Sequence, residues 1–462
     1  MAIDPVKATL RGKLTRVVGR VGQRIAGAVC AQLSQASASF ALQVLAAREL
    51  GAKGLGTFAL LYGSIVLGTA ICTGLVGDSL TVLDRSVPRV RAGLQAWCAT
   101  VSAACGLAAA TITWVAGLLD ASAATLFGAA TAVFVVEDAL RRALMAVLRF
   151  WSLPLVDGTS LVASVAVLVA VRHSKGHLTV GDFMLALLIG QLAASAIAVL
   201  RLPRNEQHLA PLRPADMHAV FAFGAWRSAQ QGVRPATLTA MRLLVTLVAG
   251  SLAYGHLEAA RVYMAPGLLV VNGMGSFLLP MYVAKRDDRL RRVIRRADTA
   301  AGGLLVTTLL LGAVAALAVP VLGGVITGGR YHIAAAAVFG WAVYAASTAS
   351  IMPYASLAAV RGRQAIVMAF RTIEATVSLA AVAAVLISSE HLAAWAPYAM
   401  AAGPLVGGAA VRRWVLLPML SRHQGVDTAG RTRPVGAHRS SVDRSAPRSA
   451  RQPELSASTT AR

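Results

Sequence analysis

Apolar stretches long enough to cross a membrane recur along the whole chain, and they constrain its fold more than any other feature. A helix needs about 20 apolar residues to cross the hydrocarbon core of a bilayer. Windows of that length predict twelve spans, numbered 1 to 12 in chain order: 25–47, 55–77, 93–119, 121–140, 153–171, 179–200, 221–249, 256–283, 299–321, 333–359, 362–388 and 393–417. Only 14% of the residues are charged, against about 25% in soluble domains. The sequence therefore predicts an all-α integral membrane protein.

The cationic residues between the spans predict the orientation. If the N-terminus is cytoplasmic, the segments on that side carry 24 Lys and Arg, whereas the opposite segments carry 5. This asymmetry follows the positive-inside rule, so we expect a multi-pass protein of the cytoplasmic (inner) membrane with both termini in the cytoplasm. The same placement explains the net charge of +24, and we do not expect a nucleic-acid partner.

The two halves of the chain resemble each other. Leu50–Leu55, between spans 1 and 2, and Leu252–Leu257, between spans 7 and 8, form similar turns 202 residues apart. Each half has six spans, an even number, so the halves share one orientation and a pseudo-two-fold axis along the membrane normal. The prediction is two six-helix lobes, residues 25–200 and 221–418, with a cytoplasmic linker at 201–220. The spacing of 202 places Gln32 opposite Arg234.

Both ends of the chain are basic and polar. Residues 1–24 alternate cationic and apolar side chains. They predict a cytoplasmic amphipathic helix on the inner leaflet, or a topology signal alone. Residues 419–462 are rich in Arg, Ser and Pro and predict a disordered cytoplasmic tail. That tail is either only solvated or attracted to anionic membrane lipids.

Span 7 carries polar residues at membrane depth. Arg227, Gln231 and Arg234 recur at i, i+4 and i+7 and share one helical face. Arg234 is about 20 Å into the span at 1.5 Å per residue, and an intramembrane arginine is costly unless it faces a polar interior. We predict that this face lines a water-filled cavity for an anionic ligand; a snorkelling or paired arginine is the alternative. Gly232 and Pro235 predict a kink and hinge.

Span 1 carries a second polar stripe. Its members step by three, four and four residues and therefore share one face: Gln32, Gln35, Ser39 and Gln43. The stripe indicates either ligand contacts at the depth where alternating-access carriers keep their sites or polar packing between helices.

Two intramembrane acids are candidates for coupling. Glu374 lies three residues after Arg371, as Glu258 lies three residues before Arg261, and the spacing favours an intrahelical ion pair in each case. Alternatively, Glu374 or Asp157 exchanges a proton or a cation during transport, since intramembrane acids often serve as relays.

Three other features are expected to be structural. The charged run 137–142 is expected at the membrane interface. For Arg242 the structural alternative to facing the cavity is to snorkel outward, and Gly403–Gly407 is expected to permit close helix packing.

The chain lacks the signatures of soluble catalysis. It contains no Walker A sequence, no His-Glu-x-x-His, no Gly-x-Ser-x-Gly and no Cys/His cluster with metal spacing. We expect neither an enzyme nor a cofactor or metal site. Transport without a nucleotide site would be secondary, or would depend on a separate energy source.

Two hairpins carry a resemblance to a known family. Leu45–Phe58 resembles the first hairpin of Wzx-type polysaccharide flippases, which belong to the multidrug/oligosaccharidyl-lipid/polysaccharide exporter superfamily. Leu252–Tyr263 is similar to that family's connection between its seventh and eighth spans, although it carries Tyr254 and His256 where the first turn has smaller residues. By topology the resemblance covers residues 20–420.

The resemblance implies a function and a set of roles. Members of the family move polyprenyl-diphosphate-linked oligosaccharides from the inner to the outer face of the membrane for surface polysaccharide assembly. It implies a central cleft lined by spans 1 and 7, and the mechanism would be alternating access. H⁺ or Na⁺ is a candidate coupling ion if the transport is secondary. Arg234 and Arg227 would hold the diphosphate, with Arg24 at the cytoplasmic mouth. The glycan would then sit among four glutamines: Gln32, Gln35, Gln43 and Gln231.

Three alternatives remain open. A multidrug efflux carrier of the same superfamily would export cationic drugs and should present unpaired acids in its cleft. A membrane enzyme, such as a glycan polymerase or ligase, would need a larger external loop than the roughly dozen residues expected here. A non-transporting scaffold in wall assembly would use the C-terminal tail as its docking arm.

Overall fold

The computed structural model describes residues 5–207, 215–276, 282, 290–360 and 364–419. Within these ranges the backbone forms helices and short connections, without a β-strand. Through Leu417 the chain forms one compact unit. The predicted all-α class is therefore confirmed. The lobe boundaries 25–200 and 221–418 stay predictions.

The helices follow the predicted spans. Spans 1 and 2 form one helix, Pro5–Cys72, and spans 7 and 8 form another, Met217–Ser276. The other long helices are Pro88–Val115, Ala121–Ala146, Leu153–Lys175, Val180–Arg201, Leu290–Thr327, Ala335–Val360 and Gln364–Ser388. Span 12 is divided into the pieces Ala396–Met400, Ala402–Ala410 and Val411–Leu416, the last π-helical. Short helical turns cover Thr73–Gly77, Ser79–Val82, Phe150–Ser152, Arg204–Gln207 and Glu390–Trp395.

The number of spans agrees with the prediction. In the described ranges nine helices are long and apolar enough to cross a membrane. Two of the nine contain two spans each, and span 12 is built from pieces too short to be counted, so the total is twelve. Large apolar side chains cover the outer surface of the bundle. Leu317 and Ile387, for example, are 81% and 84% exposed, which is favourable only against lipid.

Each long double helix is broken at a glycine. Gly51 has φ 66° and ψ −176°, and Gly250 has φ 84° and ψ 164°. A positive φ with an extended ψ strongly favours glycine, because a Cβ would clash with the backbone. These two residues therefore allow one span to pass into the next without a loop.

The two breaks correct the predicted repeat. Gly51 and Gly250 are 199 residues apart, not 202. The contacts around them have the same spacing, since a Cβ on Gly56 would overlap the backbone at Ser251 and a Cβ on Gly255 would overlap the backbone of Ala52. Each lobe thus packs its turn onto the other lobe's turn around one pseudo-two-fold axis. The sequence comparison matched leucines, whereas the glycine breaks set the true register.

With the corrected spacing, other residues face each other across the axis. Gln32 is equivalent to Gln231, and Gln35 is equivalent to Arg234. The lobes meet mainly through spans 1 and 2 against spans 7 and 8. Phe58 and Tyr254 are fully buried in the core at this interface. The polar stripes of spans 1 and 7 are therefore brought together at the centre of the molecule.

The chain ends lie mostly outside the described part. The first helix begins at Pro5, so the predicted amphipathic segment is helical from there, although the side chains before Gly27, including that of Arg24, lie outside the described residues. The predicted tail lies outside them from residue 420 onward.

Candidate functional site

A large cavity opens between the lobes. Its volume is about 1080 Å³, and spans 1, 2, 4, 7 and 11 contribute to its walls. The polar lining residues are Gln32, Gln35, Ser39, Tyr62, Thr69, Thr73, Asp138, Arg142, Gln230, Gln231, Arg234 and Arg371. Span 1 supplies Val29 to Ser39 and none of its last eight residues. The cavity therefore lies toward the end of the bundle where span 1 begins, called the inner end below.

Arg234 connects this cavity to two smaller ones. A cavity of about 270 Å³ lies between Arg234, Gln43, Arg261, Trp341 and Tyr344. Another, of about 80 Å³, has Arg234, Tyr344, Arg371 and Glu374 in its lining. Since all three cavities have Arg234 in their lining, they lie side by side around this residue; together they are called the cleft below, and Arg234 is its branch point.

The Arg234 side chain is accessible and makes no ion pair. Within the described residues no carboxylate oxygen lies within 4.0 Å of its guanidinium, and the residue is exposed to the cleft. Its charge acts on the Tyr344 hydroxyl and on the Glu374 carboxyl. An arginine at this depth is tolerable where it faces a cavity that water can enter, and Arg234 lines three such cavities. The structure therefore places Arg234 as the sequence predicted, and its ligand stays a prediction.

Three of the predicted glutamines line the same cavity. Gln32 and Gln35 approach from span 1 and Gln231 from span 7, so amide donors and acceptors from both lobes face one space. Gln43 lies further along span 1 and forms its hydrogen bonds outside this cavity. It donates to the Ser39 carbonyl at 3.1 Å and accepts from Arg261 of span 8.

Arg227 is placed differently from Arg234. Its Nε donates to Asp78 Oδ2 at 2.9 Å and its Nη1 to Gln230 Oε1 at 3.3 Å. It is not among the residues that line the described cavities. The ion pair joins span 7 to the turn after span 2, so Arg227 contributes to a contact between the lobes. A role in binding substrate stays a prediction for this residue.

The two coupling candidates differ in their surroundings. Asp157 forms a buried ion pair with Arg141, with Nη1 to Oδ1 at 2.7 Å. Glu374 lines the 80 Å³ cavity. The predicted intrahelical pair of Glu374 with Arg371 is wrong, because no nitrogen–oxygen distance of 4.0 Å or less joins them in the described part of the chain. Arg371 lines both the large cavity and the 80 Å³ cavity that also contains Glu374. The corresponding pair between Glu258 and Arg261 is confirmed at 2.6 Å.

Most of the charged run of span 4 is buried within the protein, and its position at the membrane interface stays a prediction. Glu137, Asp138 and Arg141 are buried, and Asp138 accepts from Thr73 at 2.7 Å. Asp138 and Arg142 line the large cavity, and the Arg142 side chain is partly exposed there. The sequence pattern did not reveal this because spans 1, 2 and 5 supply the polar surroundings.

A second arginine of span 7, Arg242, joins the lobes at the outer end of the cleft. Arg242 does not snorkel outward but is 8% exposed and donates Nη1 to the Ala59 carbonyl at 3.1 Å. A Cβ on Gly63 would overlap its guanidinium. The bond crosses from span 7 to span 2, so the lobes are joined here.

The predicted hinge residues lie in continuous helix. The backbone stays helical through Gly232 and Pro235, and the break in this double helix is at Gly250. A kink of the continuous helix at Gly232 and Pro235 stays a prediction. Whether the two residues act as a hinge stays a prediction. The predicted close packing at Gly403 is confirmed, since a Cβ there would overlap the Glu374 carbonyl and the Ser378 hydroxyl.

Comparison with known proteins gives one kind of match. No protein-family model and no curated protein matches the chain. Solved structures match it over most of its length. An inward-facing multidrug-resistance MATE family transporter of the MOP superfamily superposes with a TM-score of 0.65 and 13% identity, covering 87% of this chain and 96% of the other. The fold of this chain is the MATE fold.

Further structures show the same MATE fold. The outward-facing conformation of a multidrug-resistance MATE family transporter gives a TM-score of 0.55 and 13% identity, covering 88% of this chain and 95% of the other. A MOP superfamily transporter from Pyrococcus furiosus, described by the reverse polarity of its binding pocket, gives 0.56 and 12%, covering 86% and 94%. The two-lobe architecture of twelve helices is therefore confirmed.

Contacts between the lobes lie on the outer side of the large cavity. The cavity lies toward the inner end, and Arg242 and Arg261 join the lobes beyond it.

Proposed function

We propose that this protein is an alternating-access flippase that moves a polyprenyl-diphosphate-linked oligosaccharide from the inner to the outer face of the cytoplasmic membrane. The observation that supports it best is the position of Arg234, a cation without a carboxylate partner in the described chain at the branch point of the cleft. A buried cation that is open to water attracts an anion, and arginine binds phosphate oxygens with two parallel hydrogen bonds.

The rest of the cleft matches a sugar headgroup. Gln32, Gln35 and Gln231 offer amide groups that donate and accept, as sugar hydroxyls require. About 1080 Å³ is also at the upper end of the usual size of a ligand pocket. Moving such a headgroup through hydrocarbon would cost its full desolvation, and a polar cleft with the lipid tail left in the bilayer removes that barrier.

Alternating access would operate by rocking the two lobes. In the conformation described here the headgroup enters from the inner end, which the charge asymmetry of the loops places in the cytoplasm. Outward opening then requires the contacts of Arg242 and Arg261 to break while Arg227 and its surroundings close the inner end. Glu374, beside Arg234 and Arg371, is our candidate for coupling to H⁺ or Na⁺.

The test is headgroup translocation in vesicles reconstituted with the full chain and a labelled polyprenyl-diphosphate sugar. Loss of a charge-assisted hydrogen bond costs roughly 1.5–3 kcal/mol, so Arg234→Ala should slow translocation about 10- to 100-fold. Arg234→Lys should retain part of it. Arg413→Ala removes an exposed arginine of span 12 away from the cavities and serves as the matched control. Full translocation by Arg234→Ala at the control rate would refute the proposal.

One observation favours multidrug efflux as a second candidate. Glu374 forms no ion pair within 4.0 Å in the described residues and lies in the cleft, where a carboxylate could hold a cationic drug. Efflux predicts that Glu374→Gln abolishes resistance to cationic drugs in cells while Arg234→Ala preserves it. The flippase predicts no resistance phenotype for either variant.

A further inference from the structure

Arg261 is the centre of a polar network at the outer end of the cleft. Its Nε and Nη2 donate to Glu258 Oε1 at 2.9 and 2.6 Å. The other carboxylate oxygen of Glu258 accepts from the Tyr254 hydroxyl at 2.6 Å. Nη2 of Arg261 also donates to the side-chain carbonyl of Gln43. Because Gln43 is in span 1 and Arg261 is in span 8, this last bond joins the two lobes.

The pseudo-two-fold axis repeats this contact on the other side. Gln43 is equivalent to Arg242 at the spacing of 199 residues, and Ala59 is equivalent to Glu258. Arg242 of span 7 donates to the Ala59 carbonyl of span 2. In the equivalent place, Gln43 of span 1 contacts the Glu258–Arg261 pair of span 8. Two equivalent contacts therefore close the outer end of the cleft around one axis.

The charges of this network do not balance. Arg242 and Arg261 both act on the single buried carboxylate of Glu258, so the group has an excess positive charge. Within the described residues Arg261 Nη1 has no hydrogen-bond partner. Arg261 lines the 270 Å³ cavity that also contains Arg234. An anion held at Arg234 therefore faces a second cation further toward the outer end.

We propose that Arg261 is a second anion ligand of the cleft and that the arriving anion releases it from Gln43. A phosphate oxygen carries a formal charge and is a stronger acceptor than the neutral amide of Gln43. When Arg261 turns to the phosphate, span 8 loses its bond to span 1 and the outer end can open. The proposal rests on the anionic substrate of the proposed function, and it assigns Gln43 to closing the cleft instead of to contacting the glycan.

The binding test uses inorganic pyrophosphate and the purified full chain in detergent, with affinity measured by titration calorimetry. Arg261→Met should weaken binding about 10-fold, the effect of one charge-assisted hydrogen bond. Gln43→Ala should strengthen binding, since Arg261, still paired with Glu258, is then released from span 1. Arg330→Met is the matched control: it removes another bond between the lobes, from Arg330 Nη1 to the Glu49 carbonyl at 2.7 Å, but lies outside the cleft and should leave the affinity unchanged.

Two outcomes would overturn the inference. Unchanged affinity in Arg261→Met, or weakened affinity in Gln43→Ala, contradicts the assigned roles. Since Arg261→Met leaves Glu258 with one partner fewer, the double variant Glu258→Gln/Arg261→Met is measured beside it and should also bind about 10-fold more weakly. If Arg234→Ala binds pyrophosphate normally, the proposed function fails; if only the Arg261 variants do so, this inference alone fails.

Opening of the outer end of the cleft is tested by thiol labelling, without a lipid-linked sugar. Ala265→Cys places a thiol in the 270 Å³ cavity behind the Arg261–Gln43 contact, in a chain whose four native cysteines are replaced by alanine. A membrane-impermeant maleimide added from the outer side should label it slowly, and Gln43→Ala should raise the rate about 10-fold. Pyrophosphate supplied from the inner side should raise the rate in the chain that retains Gln43. Equal rates in all three conditions would show that this contact does not close the cleft.

Discussion

The ion pair between Arg141 and Asp157 allows the most specific prediction, because variants of this pair distinguish a structural role of Asp157 from a role in ion coupling. Their side chains are only 3% and 5% exposed, and Nη1 and Oδ1 are 2.7 Å apart. Removing one partner of a buried ion pair costs about 3–5 kcal/mol, since the other charge stays buried alone. We expect the loss of stability in Asp157→Asn to be near the lower limit of this range, because the Glu137 carboxyl also interacts electrostatically with Arg141.

The reverse substitution should cost more. Arg141→Met leaves two buried carboxyl groups, those of Asp157 and Glu137, without their nearest cation. We therefore expect a loss near the upper limit of about 5 kcal/mol. The double variant Arg141→Met/Asp157→Leu replaces both charges by apolar groups and should recover most of the stability, as such replacements often do. Unfolding in detergent, followed by circular dichroism against denaturant, measures all three variants.

Transport by the double variant then decides the role of Asp157. If Asp157 is structural, the double variant folds and translocates at the normal rate and keeps its dependence on the ion gradient. If Asp157 carries the coupling ion, the double variant folds but loses that dependence. Equal stability losses for the two single variants would refute the argument, because the asymmetry follows directly from the position of Glu137.

Two further predictions concern contacts between the lobes. Gly255→Ala should destabilise the outer-closed arrangement by roughly 1–3 kcal/mol, since its Cβ would overlap the Ala52 backbone. Gly302→Ala is the control, because no atom lies within 4 Å of its Cβ, and it should be neutral or slightly stabilising. Thermal unfolding of both variants checks this. A double-mutant cycle on Arg227 and Asp78, measured by the same unfolding assay, should give a coupling of about 0.2–1 kcal/mol for this partly exposed pair, and a coupling near zero would free Arg227 for a ligand.

Much of the fold could be predicted because the membrane imposes it. Span length, the charges of the loops and the even number of spans per half follow from hydrocarbon thickness and from the cost of unpaired backbone groups in lipid. Arg234 was predicted for the same reason: a cation so deep requires either a partner or a polar opening, and the cleft provides the opening. No comparable constraint acts on Arg227 near the end of its span, and only the structure shows its pairing with Asp78.

By itself, the sequence determined the twelve helices, the two lobes and the depth of the polar stripes, since each depends on local composition along one helix. Tertiary structure decided which polar groups share a space. The positive φ of Gly51 and Gly250 shows that the spacing of the repeat is 199 residues, not 202. The structure also shows that Gln43 and Arg242 form the contacts between the lobes at the outer end. These outcomes depend on partners from other helices, and the periodicity of a single span carries no information about them.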